Sequence, residues 1–443
     1  MKRVTLISGM ACVFFGAHLR AITLDAAMDR TLQNNPAIQQ AKIALEKAAG
    51  QRLILRSVSY PDANLKGIAG AQGGHRIELS DENKAFGFIQ GNFAQALFNA
   101  AIPPSRRRGD LELLIAQQQL NVTVVEQLHK TRIAFYTALY NRSLASLRGS
   151  QQQQLEANIQ GQQARYEAGT TKRDSLTAAR LQAHELGPQI ETARRNHDAA
   201  QLDLADAMGL DLGPGASLPE PEGDLPFVAA HPNIERETAN ALQHRADLKL
   251  ARLLVRAADE EKRIVQADYY PSVKAIVAGD YIPVSGIRRG GSGSPSRSDD
   301  FISSEFRAGA SYNWRIIDNG IVGGAVLRAR EARAINEVLL AKLEASVPRE
   351  LNRIAENLRA IEAQHASLAK GADVAGQNVV ALRENITQGL ASQLEYRLGE
   401  NDLLSTRDRL LETTYLQNVA RAEWDRASGR YFQFSDDNEA NVQ

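Results

Sequence analysis

The sequence has few of the residues on which metal sites, redox chemistry and phosphate binding depend. It contains one cysteine, Cys12, and its eight histidines are scattered, with none paired at metal-ligand spacing. No Walker-type glycine loop followed by Lys-Ser/Thr is present, so no phosphate cradle is expected. No nucleophile triad can be assembled from the sequence. We therefore predict no enzyme activity, no metal and no cofactor.

An excess of charge of one sign is also lacking. The 52 basic and 52 acidic residues give a formal net charge of zero, which excludes the basic footprint of a dedicated nucleic-acid binder. Aromatic residues make up only 6% of the chain, whereas Ala, Gln, Leu, Glu and Arg dominate long stretches. This composition favours long helices and coiled coils over a thick globular core.

Long apolar runs are missing outside the N-terminus, where one short run occurs. Lys2 and Arg3 precede an apolar segment at 4–17, a pattern typical of a secretory signal peptide. We assign residues 1–21 to this signal. Cys12 lies inside the apolar segment, which favours its removal with the signal, although lipidation stays open as an alternative. No later run reaches 18 apolar residues, so we predict no transmembrane helix.

The rest of the chain contains one plan twice. Residues 35–61 recur in outline at 245–271, where Tyr60-Pro61 matches Tyr270-Pro271 at an offset of 210 residues. Further along, Gly169 matches Gly389 at an offset of 220 residues. The second copy therefore carries about ten extra residues, which we place in 284–302, because a loop tolerates an insertion at small entropic cost.

Each copy reads as a helix of about 30 residues that ends at the Tyr-Pro pair, two strands, a long helix, a tip and a long return helix. Gly169 and Gly389 suit sharp turns at the tips, because a left-handed backbone costs glycine least. We predict a first repeat at 22–208, with strands near 63–72 and 86–98 and a tip near 169. A Pro-rich linker at 209–233 joins it to a second repeat at 234–430, with strands near 273–283 and 303–317 and a tip near 389. An acidic, disordered C-terminal tail is predicted at 431–443.

The strand prediction is strongest at 306–316, where apolar and polar residues alternate with period two. About ten residues suffice for one tilted transmembrane strand, and a soluble hairpin with one wet face is the alternative. The first-copy strands are weaker, because glycines interrupt them at Gly67, Gly70, Gly87 and Gly91.

The long helices show the spacing of a coiled-coil seam. In the second copy it is clear at Leu351, Ile354, Leu358 and Ile361. In the first copy Val125, Leu128, Phe135 and Leu139 follow the same spacing, with Arg132 in a seam position. Pro348 and Gly187-Pro188 are predicted to kink or break their helices. These apolar positions are read as core and not as a binding site.

In order and spacing these features resemble the TolC-like outer-membrane factors, the outer membrane efflux protein family. The resemblance covers about 22–430. Its markers are ITLDAAMDRTLQNNP at 22–36, FNAAIPPSRRRGDLELLIAQ at 98–117, RYEAGTTKRDSLTAAR at 165–180, RADL at 245–248, IDNGIVGGAVLRAREA at 317–332 and QGLASQLEY at 388–396.

The resemblance implies an α-helical protein with a transmembrane β-barrel. Each chain of a homotrimer gives four strands to one 12-stranded barrel, which continues into a periplasmic α-helical coiled-coil tunnel. The physics agrees, because four strands leave two open edges and open edges cannot face lipid. The linker at 209–233 and short helices near 234–243 and 410–430 would form a belt around the tunnel.

The implied function is that of an outer-membrane channel subunit in a tripartite efflux or type I secretion system, a passive conduit across the periplasm and outer membrane. Its implied partners are two further copies of the chain, a periplasmic adaptor (membrane fusion) protein, an inner-membrane pump or ABC transporter, and outer-membrane lipid. The alternative is a soluble periplasmic coiled-coil protein with a structural or adaptor role.

The resemblance places the functional ends at the two tips. It implies adaptor docking at Arg165, Gly169, Thr170, Thr171, Gly389, Leu390 and Ser392, although ordinary turn residues remain the alternative reading. It also implies an aperture carboxylate at Glu395, six positions after the second tip glycine, where a solvated surface charge is the alternative. A second family acid, nine positions after the glycine, is replaced here by Leu398.

Overall fold

The computed structural model describes residues 21–76, 79–169, 173–213, 217–229, 233–281 and 304–434. Over these residues the elements are α1 Leu24–Asn34, α2 Pro36–Ser57, β1 Asp62–Arg76, β2 Leu79–Phe98, α3 Ile102–Glu167, α4 Arg173–Ala207, α5 Ile234–His244, α6 Ala246–Gln266, a 3₁₀ turn at Ala267–Tyr269, β3 Ser272–Tyr281, β4 Ser304–Asn313, α7 Ile321–Thr387 and α8 Gln393–Ala427. The predicted signal up to residue 20, Thr170, Thr171 and the insertion at 284–302 lie outside this range.

The predicted order of helices, strand pair, long helix and return helix is present in both repeats, and the predicted mixed fold is confirmed. The opening helix of the first repeat is divided, where one continuous helix was predicted, and in the second repeat the short helix predicted near 234–243 is present as α5, before α6. The break falls at Asn35, which is extended before Pro36, and at Arg245, which is extended without a following proline. Proline disfavours the helical backbone at Asn35, whereas Arg245 needs another cause.

The four strands form one antiparallel sheet in the order β1-β2-β3-β4. Gly91 of β2 lies opposite Gly279 of β3, and Ala275 of β3 lies opposite Ala310 of β4. The first-copy strands are longer than predicted, at 15 and 20 residues, despite their glycines. In the ladder Gly67 lies opposite Ile89, and Gly91 lies opposite Leu65, so larger cross-strand partners flank the glycines.

The chain divides into two compact units. One unit, at 42–120 and 247–344, holds the sheet and the helical segments that lead into and out of it. The other unit comprises 1–41, 121–246 and 345–443 and holds the helical tips. No helix among the described residues combines the length and the apolar character needed to cross a membrane.

The second-copy seam is confirmed, because Leu351, Ile354, Leu358 and Ile361 are all buried. The first-copy seam was predicted one residue out of place at two positions. Val124 and Thr131 are fully buried, whereas Val125 is half-buried and Arg132 pairs with Asp425 at 2.7 Å. Arg132 thus lies beside the seam, where a carboxylate can neutralise it.

Neither internal proline ends its helix. Pro188 lies within α4 and Pro348 within α7, and both helices continue past them. In each case a side chain one turn later donates to the proline carbonyl at 2.8 Å, Thr192 in α4 and Asn352 in α7. Of the two predicted outcomes, a break is therefore wrong, and a kink stays a prediction.

The linker is held by side chains of the long helices. Within its described part, at 217–229, Arg142 donates to the carbonyls of Pro221 and Gly223, and Asn418 donates to that of Pro226. The predicted short helix near 410–430 is instead the C-terminal part of α8. Residues 431–434, predicted to belong to a disordered tail, pack on the helices. Tyr431 is buried, and the Phe434 N–H donates to Asn121.

Candidate functional site

The sheet has one apolar and one polar face. Residues opposite each other in the ladder share a face, and successive residues alternate between faces. The first face carries Leu65, Ile89, Phe93, Val273, Val277, Phe306, Ala308 and Tyr312. The second is mostly polar and carries, beside Ile68, Phe88 and Ile276, the residues Asp62, Asn64, Lys66, Gln90, Asn92, Lys274, Asp280, Glu305, Arg307 and Ser311.

Three charged residues of the polar face pair within the sheet. Arg307 forms a salt bridge with Asp280 on the neighbouring strand, and Glu305 lies 3.6 Å from the same guanidinium. The apolar face is instead left open, with Leu65 and Phe306 about three-quarters exposed. A sheet with this division needs an apolar environment on one side only.

Aromatic side chains cluster at the end of the sheet where the strands join the helices. Tyr269, Tyr270, Tyr312 and Trp314 are all about half exposed or more. The Trp314 indole N–H donates to the Tyr269 carbonyl at 3.2 Å, so the cluster spans the start of β3 and the end of β4. Exposed tyrosine and tryptophan at one level are typical of a membrane–water interface.

Both tip glycines adopt the predicted left-handed backbone, with φ of 71° at Gly169 and 74° at Gly389. At the second tip the Leu390 N–H donates to the Asn385 carbonyl at 2.8 Å and closes the C-terminus of α7. Thr170 and Thr171 lie outside the described residues. Arg165, Leu390 and Ser392 lie beside the turns.

Glu395 takes part in the N-terminal cap of α8. Its carboxylate accepts from the Ser392 N–H at 2.7 Å and from the Ser392 hydroxyl at 2.9 Å, while the Glu395 N–H donates back to that hydroxyl. This is a complete capping box. The hydrogen bond from the Ser392 N–H, followed by that from its hydroxyl, lowers the pKa of Glu395. The side chain is ionised at neutral pH and exposed at the tip.

A polar groove of about 1370 Å³ brings residues of both tips together. Arg165 from α3 lines it with Asp373 and Arg383 from α7 and with Tyr396 and Glu400 from α8. Burial raises the pKa of Tyr396 to about 12, and its hydrogen bond to Glu400 adds to the shift. Charged and amide side chains line the groove together with apolar ones such as Val379, Val380 and Leu404, so the groove can contact a partner through both kinds of side chain.

Two further groups with strongly shifted pKa values lie away from the tips. Burial lowers the pKa of His129 to about 4, and the charges of Arg426 and Arg132 add to this effect. Burial raises the pKa of Tyr431 to about 12, and its hydroxyl lies 3.3 Å from His129 Nδ1. These groups pin the chain after α8 to α3. Among the described residues, no group of three or more His, Cys, Asp or Glu is placed to hold a metal ion.

Comparison with known proteins finds a family model that matches part of the chain and solved structures that share its fold. Residues 238–430 match the family model described as "Outer membrane efflux protein". No curated protein sequence matches the chain significantly. The predicted resemblance to this family is confirmed by the match to the second repeat and by the solved structures described next.

Those structures cover both repeats. The outer membrane protein VceC from Vibrio cholerae is 17% identical, with a TM-score of 0.74 over 92% of this chain and 96% of its own. The Campylobacter jejuni CmeC outer membrane channel is 14% identical, with a TM-score of 0.75 over 94% and 87%. The open Neisseria gonorrhoeae MtrE outer membrane channel is 14% identical, with a TM-score of 0.72 over 92% and 88%. At such identities the likeness shows the fold.

Proposed function

Because residues 238–430 carry an outer membrane efflux protein domain within a fold shared with outer-membrane channels, we propose that the chain is one subunit of a trimeric outer-membrane efflux channel. The single observation that carries the proposal is the two-faced sheet with its open apolar side. The channel is a passive conduit that extends from the outer membrane into the periplasm, and it carries no catalytic centre.

Closure of the barrel explains why the subunit acts with copies of itself. In one chain β1 and β4 are the edges of the sheet, and each presents unpaired backbone groups. Lipid cannot satisfy such groups, so an edge in the membrane must find another strand. Pairing β4 of one copy with β1 of the next closes a barrel of about 12 strands when three copies join.

The faces of the sheet then have definite environments. The face with Leu65, Val277 and Phe306 meets lipid, and the aromatic cluster with Tyr270 and Trp314 lies at the periplasmic interface. The charged face lines the water-filled lumen, where Arg307 and Asp280 neutralise each other.

The energy for export comes from partners. We assign the tips, with Arg165, Gly169, Thr170, Thr171, Gly389, Leu390 and Ser392, to docking of a periplasmic adaptor, which links the channel to an inner-membrane pump or ABC transporter. The groove beside Arg165 supports this assignment, since its polar lining can bind a helical partner through hydrogen bonds and ion pairs. Export of small molecules and type I secretion of proteins both fit this arrangement.

Glu395 gives the periplasmic aperture a negative charge. Three ionised copies around the axis attract cations and disfavour anions. We expect Glu395→Ala to reduce the cation preference of the channel, measured as the reversal potential of purified trimers in a planar bilayer under a salt gradient. An unchanged reversal potential would remove Glu395 from this role.

Two neighbouring residues of β3 allow a matched test of the function. Val277 lies on the apolar face and Ala278 on the charged face. An arginine on the lipid face near mid-membrane costs about 2–4 kcal/mol, whereas the lumen tolerates it. We expect the wild-type chain and Ala278→Arg to be recovered from the outer membrane in detergent as trimers, and Val277→Arg to be depleted there. Recovery of the wild type as a soluble periplasmic monomer contradicts the proposal.

A further inference from the structure

The chain folds back on its helices after α8. The Phe434 N–H donates to Asn121 Oδ1 at 2.9 Å, and the Phe434 carbonyl accepts from Asn121 Nδ2 at 3.2 Å. Asn121 lies fully buried on α3, in the first repeat. Gln433 donates to the His244 carbonyl, at the end of α5, at 3.0 Å. We name residues 429–434 the C-terminal clasp, because they tie the end of the second repeat to a helix of the first.

Tyr431 is the anchor of the C-terminal clasp. Its side chain is buried, and its hydroxyl donates to the Ala422 carbonyl at 3.4 Å. The same hydroxyl lies 3.3 Å from Nδ1 of His129 on α3. The two rings meet edge to face, with their centroids 5.9 Å apart. The clasp therefore covers one side of the His129 imidazole, and release of the clasp would return that side to water.

Positive charge surrounds the covered imidazole. Arg132 lies about one turn further along α3, and its guanidinium carbon is 5.8 Å from the Tyr136 ring centroid and 5.9 Å from that of Tyr431. Arg426 acts on His129 from α8. Burial first, and then the charges of Arg426 and Arg132, lower the pKa of His129 to about 4. His129 is therefore uncharged at neutral pH while the clasp is closed.

The carboxylates of this cluster are already engaged by arginines. The ion pairs join Asp425 to Arg132 at 2.7 Å and to Arg430 at 3.5 Å, Glu350 to Arg426 at 2.8 Å, and Glu237 to Arg430 at 2.5 Å. A proton on His129 therefore adds a positive charge beside two arginines. The closed clasp disfavours this proton, whereas a solvated imidazole binds it near its ordinary pKa of about 6.5.

We propose that the C-terminal clasp is an acid-sensitive tie between the two repeats, closed at neutral pH and released from α3 when His129 binds a proton. The proposal concerns the folded chain and goes beyond its proposed channel function. A histidine whose pKa is lowered in the closed state binds more protons in the open state, so acid favours opening. The ratio of closed to open clasp should fall as the pH drops below 6.5 and level off below about 4. Between about pH 6.5 and about pH 5 the fall is about 15-fold.

Amide hydrogen exchange of the purified chain, read by mass spectrometry, measures this opening even when the open form is rare. The reporter is a peptide over 428–434, which includes the hydrogen-bonded N–H groups of Arg430 and Phe434. After correction for the pH dependence of chemical exchange, its protection in the wild type should fall about 15-fold from about pH 6.5 to about pH 5. A peptide over 134–141 of α3 is the internal reference and should keep its protection.

Two histidine variants assign the response to one side chain. His129→Gln removes the proton-binding group and should leave the protection of the clasp peptide constant over the same pH range. His365→Gln is the matched control, because His365 is a half-buried histidine of α7 that stacks on Phe227 of the linker, with ring centroids 3.5 Å apart. This control should show the same fall in protection as the wild type.

A wild-type protection that stays constant from about pH 6.5 to about pH 5 contradicts the proposal. An equal fall in the wild type and in His129→Gln also contradicts it, because other groups would then carry the response. If His129→Gln does not fold, the wild-type profile still decides, since carboxylates of ordinary pKa respond only below about pH 5. These outcomes leave the proposed trimer untouched, because the exchange of the clasp is measured on the folded chain.

Discussion

The two repeats build the same helix joint with different chemistry. In the first joint Asn35, between α1 and α2, meets the end of α4. In the second, Arg245, between α5 and α6, meets the end of α8. Gly209 lies against the first joint and Gly429 against the second, both with left-handed backbone, at φ of 66° and 75°.

The first joint is neutral. Asn35 is buried, its amide donates to the Ala207 carbonyl at 2.9 Å, and its Oδ1 accepts from the Ala37 N–H at 2.9 Å. The amide thus caps α2 and ties α4 to it, with Pro36 at the first helical position.

The second joint is charged. Arg245 is buried, donates to Glu350 at 2.7 Å and to the Ala427 carbonyl at 3.3 Å, while Arg426 donates to the other Glu350 oxygen at 2.8 Å. A single carboxylate therefore holds two guanidinium groups. The two joints thus share a geometry but differ in their polar partners, since an amide holds the first and an ion triad holds the second.

The glycines should give the largest difference between the joints. A Cβ at Gly209 would lie 2.7 Å from the Asn34 carbonyl oxygen, whereas one at Gly429 would lie no closer than 3.3 Å to Arg245. Left-handed strain costs an alanine about 1–2 kcal/mol, and a forced overlap adds about 1–3 kcal/mol. Gly209→Ala should therefore lower the temperature at which the trimer dissociates in a semi-native gel more than Gly429→Ala does. Equal decreases in dissociation temperature for the two variants would show that the neighbouring backbone moves to relieve the overlap at position 209.

Neutralising Glu350 should damage the second joint next. Glu350→Gln leaves Arg245 buried without its carboxylate, and breaking such a pair costs about 3–5 kcal/mol when it is fully buried. We expect about 2–3 kcal/mol here, because the Glu350 and Arg426 side chains are 18% and 37% exposed. The dissociation temperature measures the loss. Glu356→Gln is the control, because Glu356 is exposed and pairs with Arg359 on the same helix. A decrease in dissociation temperature for Glu350→Gln as small as that for the control would contradict the triad.

A fall in pH should change the stability contribution of the second joint but not that of the first. Burial raises the pKa of Glu350, but the hydrogen bonds and charges of Arg245 and Arg426 outweigh it, so its pKa lies below the ordinary value of 4.5. Its contribution is thus complete above pH 4.5 and is lost as the pH falls through its lowered pKa. The stability difference between wild type and Glu350→Gln should shrink in that acidic window, whereas that between wild type and Asn35→Ala should not. A pH-independent difference for both variants would contradict an ionised Glu350.

The smallest effect is expected at the first joint. Asn35→Ala removes the cap of α2 and one bond to Ala207, and lost caps cost about 1 kcal/mol. Thr131 still donates to the Ala207 carbonyl at 3.4 Å, which limits the damage. The same gel assay should show a shift below that of Glu350→Gln. A larger shift would mean that the neutral joint holds the fold more strongly than the charged one.

Local patterns predicted those parts of the fold that local chemistry determines. Alternation at 306–316 identified β4, and the tip glycines Gly169 and Gly389 were predicted to be left-handed, as they are. The helix break at Arg245 was not predictable in this way, because its partner Glu350 lies 105 residues along the chain. The prediction of the first-copy seam was wrong for a similar reason, because Arg132 pairs with the distant Asp425 and Thr131 occupies the buried seam position.

The candidate site, too, could be predicted from the sequence only where local chemistry determines it. The position of Glu395 at the second tip was predicted, but its hydrogen bonds to Ser392 depend on where α8 begins. The packing of α8 on α7 could not be read from spacing alone, since it depends on Gly399, where a Cβ would lie 2.8 Å from Leu382 Cδ1. The two faces of the sheet were visible in β4 only, because glycines obscured β1 and β2.

The most direct test of the trimeric channel joins mass and conductance in one preparation. The detergent-solubilised protein should have the light-scattering mass of three chains, convert to single chains on heating, and give discrete current steps when added to a planar bilayer. A monomeric mass before heating, or trimers that give no current, would contradict the account.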